Sequence, residues 1–217
     1  MSFLLRTFGI ACLLLLHPFF AGAETITLVA DEWPPYNGTP DSTEEGYLID
    51  VARAALKLHG IDISYQLIPW RRAVEFTRQG RYNGLVGASK TDAPDFIFPA
   101  EELSRNVISF FVRSDATWQF KQRRDIEAIT LGVIAGYDYR QWLLDYIEAH
   151  RNEPRRVQVM TGHQPMQRNI KKLLSNRVDA IVDNEAVIRD VAGKMGVSDQ
   201  VKLAGHGTEI AYIYIAF

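Results

Sequence analysis

The chain has 217 residues, 47% of them hydrophobic, with 24 Lys and Arg against 26 Asp and Glu and a net charge of −2. This balance gives no basic surplus for nucleic acid or an anionic bilayer surface, and the length suffices for one large or two small units with real cores. The single cysteine, Cys12, excludes an internal disulfide.

Residues 1–23 read MSFLLRTFGIACLLLLHPFFAGA: Arg6 near the start, an apolar run broken by His17 and Pro18, then Ala21-Gly22-Ala23. This is the pattern of a cleaved export signal, so the mature chain is expected to begin at Glu24, outside the cytoplasm, with no stable membrane insertion after cleavage. A spanning helix wants about 20 unbroken apolar residues, and Pro18 interrupts this run. Cleavage would remove Cys12, and with it any thiolate metal site or cysteine nucleophile. It would also remove Arg6, leaving 23 basic against 26 acidic residues, a net charge of −3.

From Ile26 the signals alternate between strand and helix. Ile26, Leu28 and Ala30 alternate with Thr27 and Val29 in a strand ended by Pro34-Pro35. A helix follows with Leu48, Val51, Ala52, Ala55 and Leu56 on one face, stopped by Gly60. The pattern then predicts a strand over 61–68, a helix over 70–79 closed by Gly80, and a strand over 82–86. Residues 106–113 form an apolar, β-prone run. Beyond it come a strand over 129–135, a helix over 139–150, a strand over 157–160, a helix over 165–175 and a strand over 178–183. A second β-prone run, 210–217, closes the sequence.

Single helices between strands argue for parallel pairing in an α/β fold. Gly80 to Val86 matches Asn176 to Val182 in residue character, an offset of 96 residues or about one small α/β domain. We therefore expect two similar lobes, 24–111 and 112–207, with a return strand over 208–217. The runs 106–113 and 210–217 are the expected crossing strands of a hinge, and a ligand cleft is expected between the lobes.

In order and spacing, Asp31-Glu32-Trp33-Pro34-Pro35-Tyr36, Gly46-Tyr47-Leu48-Ile49-Asp50, Gly84-Leu85-Val86-Gly87-Ala88-Ser89-Lys90-Thr91-Asp92, Leu131 to Gly136 and Val178 to Asn184 resemble the polar amino-acid-binding family of periplasmic solute-binding proteins, also called extracellular solute-binding family three. The resemblance covers about residues 24–217. It implies the type II periplasmic-binding-protein fold, two lobes that close over a small polar solute, a periplasmic location, and delivery to the membrane permease of an ABC importer. It further implies a monomer without cofactor or metal. The one or two C-terminal helices with which the family continues are not in the sequence, so the expectation is either a truncated product or lobes that lack this usual cover.

The chain departs from the family at both ligand clamps. The arginine that grips an α-carboxylate three residues after the Thr of Ser-x-Thr-Asp falls on Pro94, and the acid that holds the α-ammonium falls on Asn184. Asp183 is one residue earlier, so a one-residue shift of the match would restore the carboxylate, although strand alternation points it the other way. In the turn after the second lobe's first strand, Tyr137 is a candidate contact, while Asp138 is expected to cap a helix. Trp33 and Trp70 correspond to rings that stack on the ligand. Arg71 or Lys90 is the expected replacement for the missing arginine, and Ser89 and Thr91 offer hydroxyls. The ligand-binding set is thus Trp33, Trp70, Arg71, Ser89, Lys90, Thr91, Tyr137 and Asn184, with Tyr36 filling structure behind its loop.

Four histidines remain after the leader, His59, His150, His163 and His206, at no metal-binding spacing. No nucleophile-elbow, zincin or phosphate-loop pattern is present. The activity that the resemblance implies is capture of an amino acid or amino-acid-like compound, without catalysis. Two alternatives stay open: a dehydratase of a cyclic prephenate-like acid, with Asp183 or Glu185 as the acid, and delivery of a ligand to a membrane sensor.

Overall fold

The computed structural model describes residues 24–217; the expected leader, Cys12 included, lies outside the described residues. The first half comprises β1 (Glu24–Ala30), α1 (Tyr47–Lys57), β2 (Ile61–Leu67), α2 (Trp70–Arg78) and β3 (Gly84–Ala88). It leads into β4 (Ser104–Arg113). The second half comprises β5 (Leu131–Ile134), α3 (Gln141–Ala149), β6 (Val157–Met160), α4 (Pro165–Leu174), β7 (Ala180–Asn184) and α5 (Glu185–Lys194). The last element, β8, runs from Val201 to Ala216.

The strands hydrogen-bond in the order β2-β1-β3-β8-β4-β7-β5-β6. Pairings β1–β2, β1–β3, β5–β6 and β5–β7 are parallel, as single-helix crossovers require. β8 pairs antiparallel with β4 over its first part, and through Tyr214, Ile215 and Ala216 with β3. One 16-residue strand therefore belongs to both halves, and the expected α/β architecture with two crossing strands is present.

Burial explains why these segments take these forms. α1 turns Leu48, Ile49 and Ala52 inward, and α4 buries Met166, Ile170 and Leu173 at helical spacing. β7 is buried at every position, as an interior strand with antiparallel β4 on one side and parallel β5 on the other should be. On β4, Phe110 and Phe111 point to opposite faces and both are wholly buried. Phe110 stacks on Phe120 with ring centroids 4.1 Å apart. Beside that stack Gly205 has φ 151, and a Cβ there would stand 2.3 Å from the Phe120 carbonyl oxygen.

Several boundaries differ from the sequence expectation. β3 starts at Gly84 rather than residue 82, because the Asn83 side chain accepts hydrogen bonds from the Thr27 amide and hydroxyl and ties the preceding turn to β1. α3 starts at Gln141 rather than 139, because Arg140 takes a left-handed φ of 72. α5 was not expected, since Asn184 reads as a strand end; its side chain caps the helix by accepting from the Ala186 amide. β8 begins nine residues earlier than the run 210–217, because pairing with apolar β4 carries the polar stretch His206 to Glu209 as strand.

Truncating the Phe110 ring removes a fully buried side chain from the aromatic stack that joins β4 to the second half. Phe110→Ala is expected to lower the unfolding free energy by about 3–5 kcal/mol, measured as a shift of the urea midpoint at unchanged m-value.

Candidate functional site

The parallel strands of both halves point their carboxyl ends at one another across the β4–β8 crossing, the place where an open α/β fold leaves a crevice. Asp31 and Trp33 follow β1, Trp70 follows β2, and Gly87 and Ser89 lie at the end of β3. From the second half, Tyr137 to Arg140 follow β5 and Asp183 lies near the end of β7. Asn106 and Ile108 of β4, Ile213 of β8, and Asn37 and Asp92 complete the wall of a cavity with ≈ 500 Å³ not filled by protein atoms, part of it open to solvent.

Hydrogen bonds join the halves directly across this cavity. The Trp33 indole donates to Asp183 Oδ1 at 2.9 Å, and the Tyr137 hydroxyl donates to Asp31 Oδ2. The Ser89 hydroxyl lies 2.8 Å from Asp138 Oδ2 and equally 2.8 Å from Asp92 Oδ2. One hydroxyl hydrogen cannot serve two carboxylates. Burial, with the nearby Asp138 carboxylate adding to it, pushes the Asp92 carboxyl up to about 6, and a protonated Asp92 can itself donate to Ser89.

Asp31 and Asp183 are pushed up to about 7, in both cases chiefly by burial, which the Tyr137 and Trp33 hydrogen bonds only partly offset. Among the described residues the wall thus holds four aspartates, Asp31, Asp92, Asp138 and Asp183, against a single arginine, Arg140. Arg140 Nη1 pairs with Asp138 Oδ2 at 2.8 Å, and Asp138 Oδ1 accepts from the Arg140 amide. That second bond holds Arg140 in its left-handed backbone conformation, a strain of the order of 1–3 kcal/mol that clusters at functional sites.

Three side chains of this wall carry buried polar atoms with no partner among the described residues. They are both amide atoms of Asn37, Nε and Nη2 of Arg140, and Oδ2 of Asp183. Buried polar groups are paired in all but a few cases, and each unpaired one costs about 1–3 kcal/mol. A donor edge, an amide and a carboxylate oxygen on one small wall are therefore equipment for a polar ligand.

Of the residues expected to bind, Trp33, Trp70, Ser89 and Tyr137 stand in the wall, at 7% exposure for each tryptophan. The other four lie outside it. Arg71 packs its Cγ against Gly136, whose φ is 83 and where a Cβ would come within 2.7 Å. It borders an adjoining groove that shares Asp31, Trp70 and Tyr137 with the cavity and adds Glu32, Arg72 and His163. Lys90 is exposed and sits over the Tyr214 ring at 5.2 Å. Thr91 faces an outer groove beside α3. Asn184 is turned away to cap α5 and to donate to Asn106 Oδ1, so Asp183 is the acid that faces the cavity. Asp138 does not cap α3; it bridges Ser89 and Arg140. Tyr36 packs behind Trp33, with ring centroids 4.5 Å apart.

The sequence reading missed Asn37, Asp31 and Arg140. The first two lie in the loop segment already marked by Trp33. Arg140 carried no signal, because an arginine before a helix reads as a solvated charge. Among the described residues no group of three or more His, Cys, Asp or Glu is placed to hold a metal ion, and no helix is long and apolar enough to cross a membrane.

No protein-family model matches the chain, and no curated protein does. Solved structures do match in fold. A histidine kinase sensor domain similar to periplasmic binding proteins superposes with TM-score 0.72 at 16% identity, over 90% of this chain and 82% of the other. An ancestral arginine-binding protein bound to arginine gives 0.70 at 18%, over 90% and 84%. A structure concerning glutathione import through GshT and the cystine ABC importer TcyBC of Streptococcus mutans gives 0.72 at 18%, over 89% and 81%. At these identities the likeness fixes the fold, that of the periplasmic binding proteins.

The buried carboxyls make stability depend on pH. Asp31 and Asp183 ionise at 3.8 without burial and near 7 in the folded chain, so the folded state binds more protons between those values. Stability should fall as pH rises from about 4 to about 7, by on the order of a few kcal/mol per group, and level off above. The Arg53 hydrogen bonds lower the Glu45 carboxyl and act the other way, removing stability as pH drops below 4.5. A higher melting temperature at pH 5 than at pH 8 is expected, and Asp183→Asn should reduce the difference, read by circular dichroism melts across the range.

Proposed function

We propose that the chain is a periplasmic solute-binding protein that captures a small polar solute, an amino acid or amino-acid-like compound, by closing its two lobes, 24–111 and 112–207, and hands it to the permease of an ABC importer. The observation that carries this reading is the cavity wall. It draws side chains from both halves and holds unpartnered buried polar atoms on Asn37, Arg140 and Asp183. A ligand that satisfies atoms of both halves at once favours the closed arrangement, and a membrane partner reads that difference. Trp33 and Trp70 supply flat apolar walls for the ligand body. The export pattern of residues 1–23 agrees with a periplasmic location. A structural neighbour concerned with an ABC importer supports the transport role, and the sensor-domain neighbour keeps ligand delivery to a membrane receptor as a variant of it.

A second reading, a dehydratase of a cyclic prephenate-like acid, draws support from one pairing in the same wall. Asp183, pushed up to about 7, can hold a proton near neutral pH, and Arg140 can face an anion. Glu185, the other acid considered for that role, pairs with Arg189 on α5 instead. Formation of a dehydrated product would decide for it.

For the binding reading, a thermal-shift screen of the mature chain against amino acids, small peptides, polyamines and organic acids is expected to give one responsive class. At a hundredfold excess over Kd the stabilisation is about 2.7 kcal/mol, roughly 5–10 °C for a chain of this size. Binding should change the fluorescence of Trp33 and Trp70, and Trp33→Ala should abolish the melting shift. No response from any class would reject the reading.

A further inference from the structure

Resting on the binding reading, we propose that Arg140 is the carboxylate-binding residue of the cleft and that the ligand is a zwitterion whose carboxylate sits on Arg140 and whose ammonium sits on Asp183. Both charged contacts then come from the second half, and the first half closes over the ligand body with Trp33, Trp70 and Asn37.

The guanidinium is held in a way that selects one edge. Nη1 is engaged by Asp138 Oδ2 at 2.8 Å, and Asp138 is itself fixed by the Arg140 amide and by Ser89. The remaining pair, Nε and Nη2, lies along one edge of the plane, the fork that matches two carboxylate oxygens. Those two nitrogens are the unpartnered ones, on a side chain 9% exposed in the cavity wall. A purely structural counter-ion for Asp138 would need only the engaged nitrogen. Asp183, 3% exposed, spends Oδ1 on the Trp33 indole and the Asn184 amide and leaves Oδ2 free. An acceptor of this kind suits a primary ammonium.

Pro94, at the place where the resembled family carries its arginine, is exposed and lies outside this wall. Arg71 and Lys90 are also outside it. Among the described residues Arg140 is thus the one arginine or lysine of the cavity wall.

The test uses the mature chain and calorimetric titration with each of the twenty L-amino acids, the matching carboxamides and the matching acids lacking the amino group. The wild type is expected to bind at least one amino acid, and to bind its carboxamide and its des-amino acid about 10- to 100-fold more weakly. Arg140→Lys keeps a positive partner for Asp138 but loses the fork, and should weaken the amino acid by a similar factor and shrink, without erasing, its advantage over the carboxamide. Asp183→Asn should erase the advantage over the des-amino acid. Wild-type binding of carboxamides as tight as that of amino acids overturns the assignment without any variant, and so does Arg140→Lys that discriminates the carboxylate as strongly as the wild type. A wild type that binds none of these compounds but responds to an amine or a peptide in the thermal screen rejects the zwitterion alone. Silence in both assays rejects the binding reading beneath it.

Discussion

The antiparallel pairing of β4 with β8 is the constraint on which the arrangement depends. From Ser104 to Arg113 on one strand, and from Ile213 back to Val201 on the other, it spans the junction of the two halves with two register shifts on the way. β8 continues past the junction to pair with β3 in the first half, while β4 pairs with β7 in the second. Each half therefore hangs its parallel strands on a strand shared with the other, and their carboxyl ends must face the same gap. Ile108, Asn106 and Ile213 from these two strands form the floor of that gap.

What meets across the gap is electrostatically uneven. Four aspartates and one arginine share a wall sealed by indole and phenol donors, and burial keeps two of the aspartates close to neutral pH in their titration. A protein that gained only stability would not place carboxyls there, since a buried charge without a full set of partners is destabilising. The unpartnered atoms of Asn37, Arg140 and Asp183 deepen the same imbalance. On the proposed reading the ligand corrects it, which ties binding to closure and gives the closed state a reason to depend on the solute.

Much of the fold was legible because apolar spacing is a local property. The faces of α1 and α4, the buried run of β7 and the breaks at Gly60 and Gly80 each follow from residues within one turn or one strand. The misjudged boundaries fell where a distant partner outweighed local preference. β8 extends through His206 and Thr208 because β4 lies beside it, and Asn184 starts a helix although the preceding residues complete a strand. The site was half legible. Trp33, Trp70, Ser89 and Tyr137 follow predicted strands directly, so their place at strand ends came with the topology. Arg71 and Lys90 were plausible by charge, yet one lines the adjoining groove and the other sits over the Tyr214 ring.

The sequence by itself determined an α/β alternation in two similar units, two β-prone runs able to join them, and the loops on which a ligand site would lie. Periodicity, helix stops and strand composition are written over a few residues, so no contact between distant residues is needed to read them. Only the tertiary structure decided which polar groups face one another. Whether Asp183 or Asn184 points into the cavity depends on where β7 ends and α5 begins, and the role open to Arg140 depends on Asp138 and Ser89, the latter 51 residues away in the chain. The partners that orient or bury a charged side chain come from separate elements, and their distances exist only once β4 and β8 have brought the halves together.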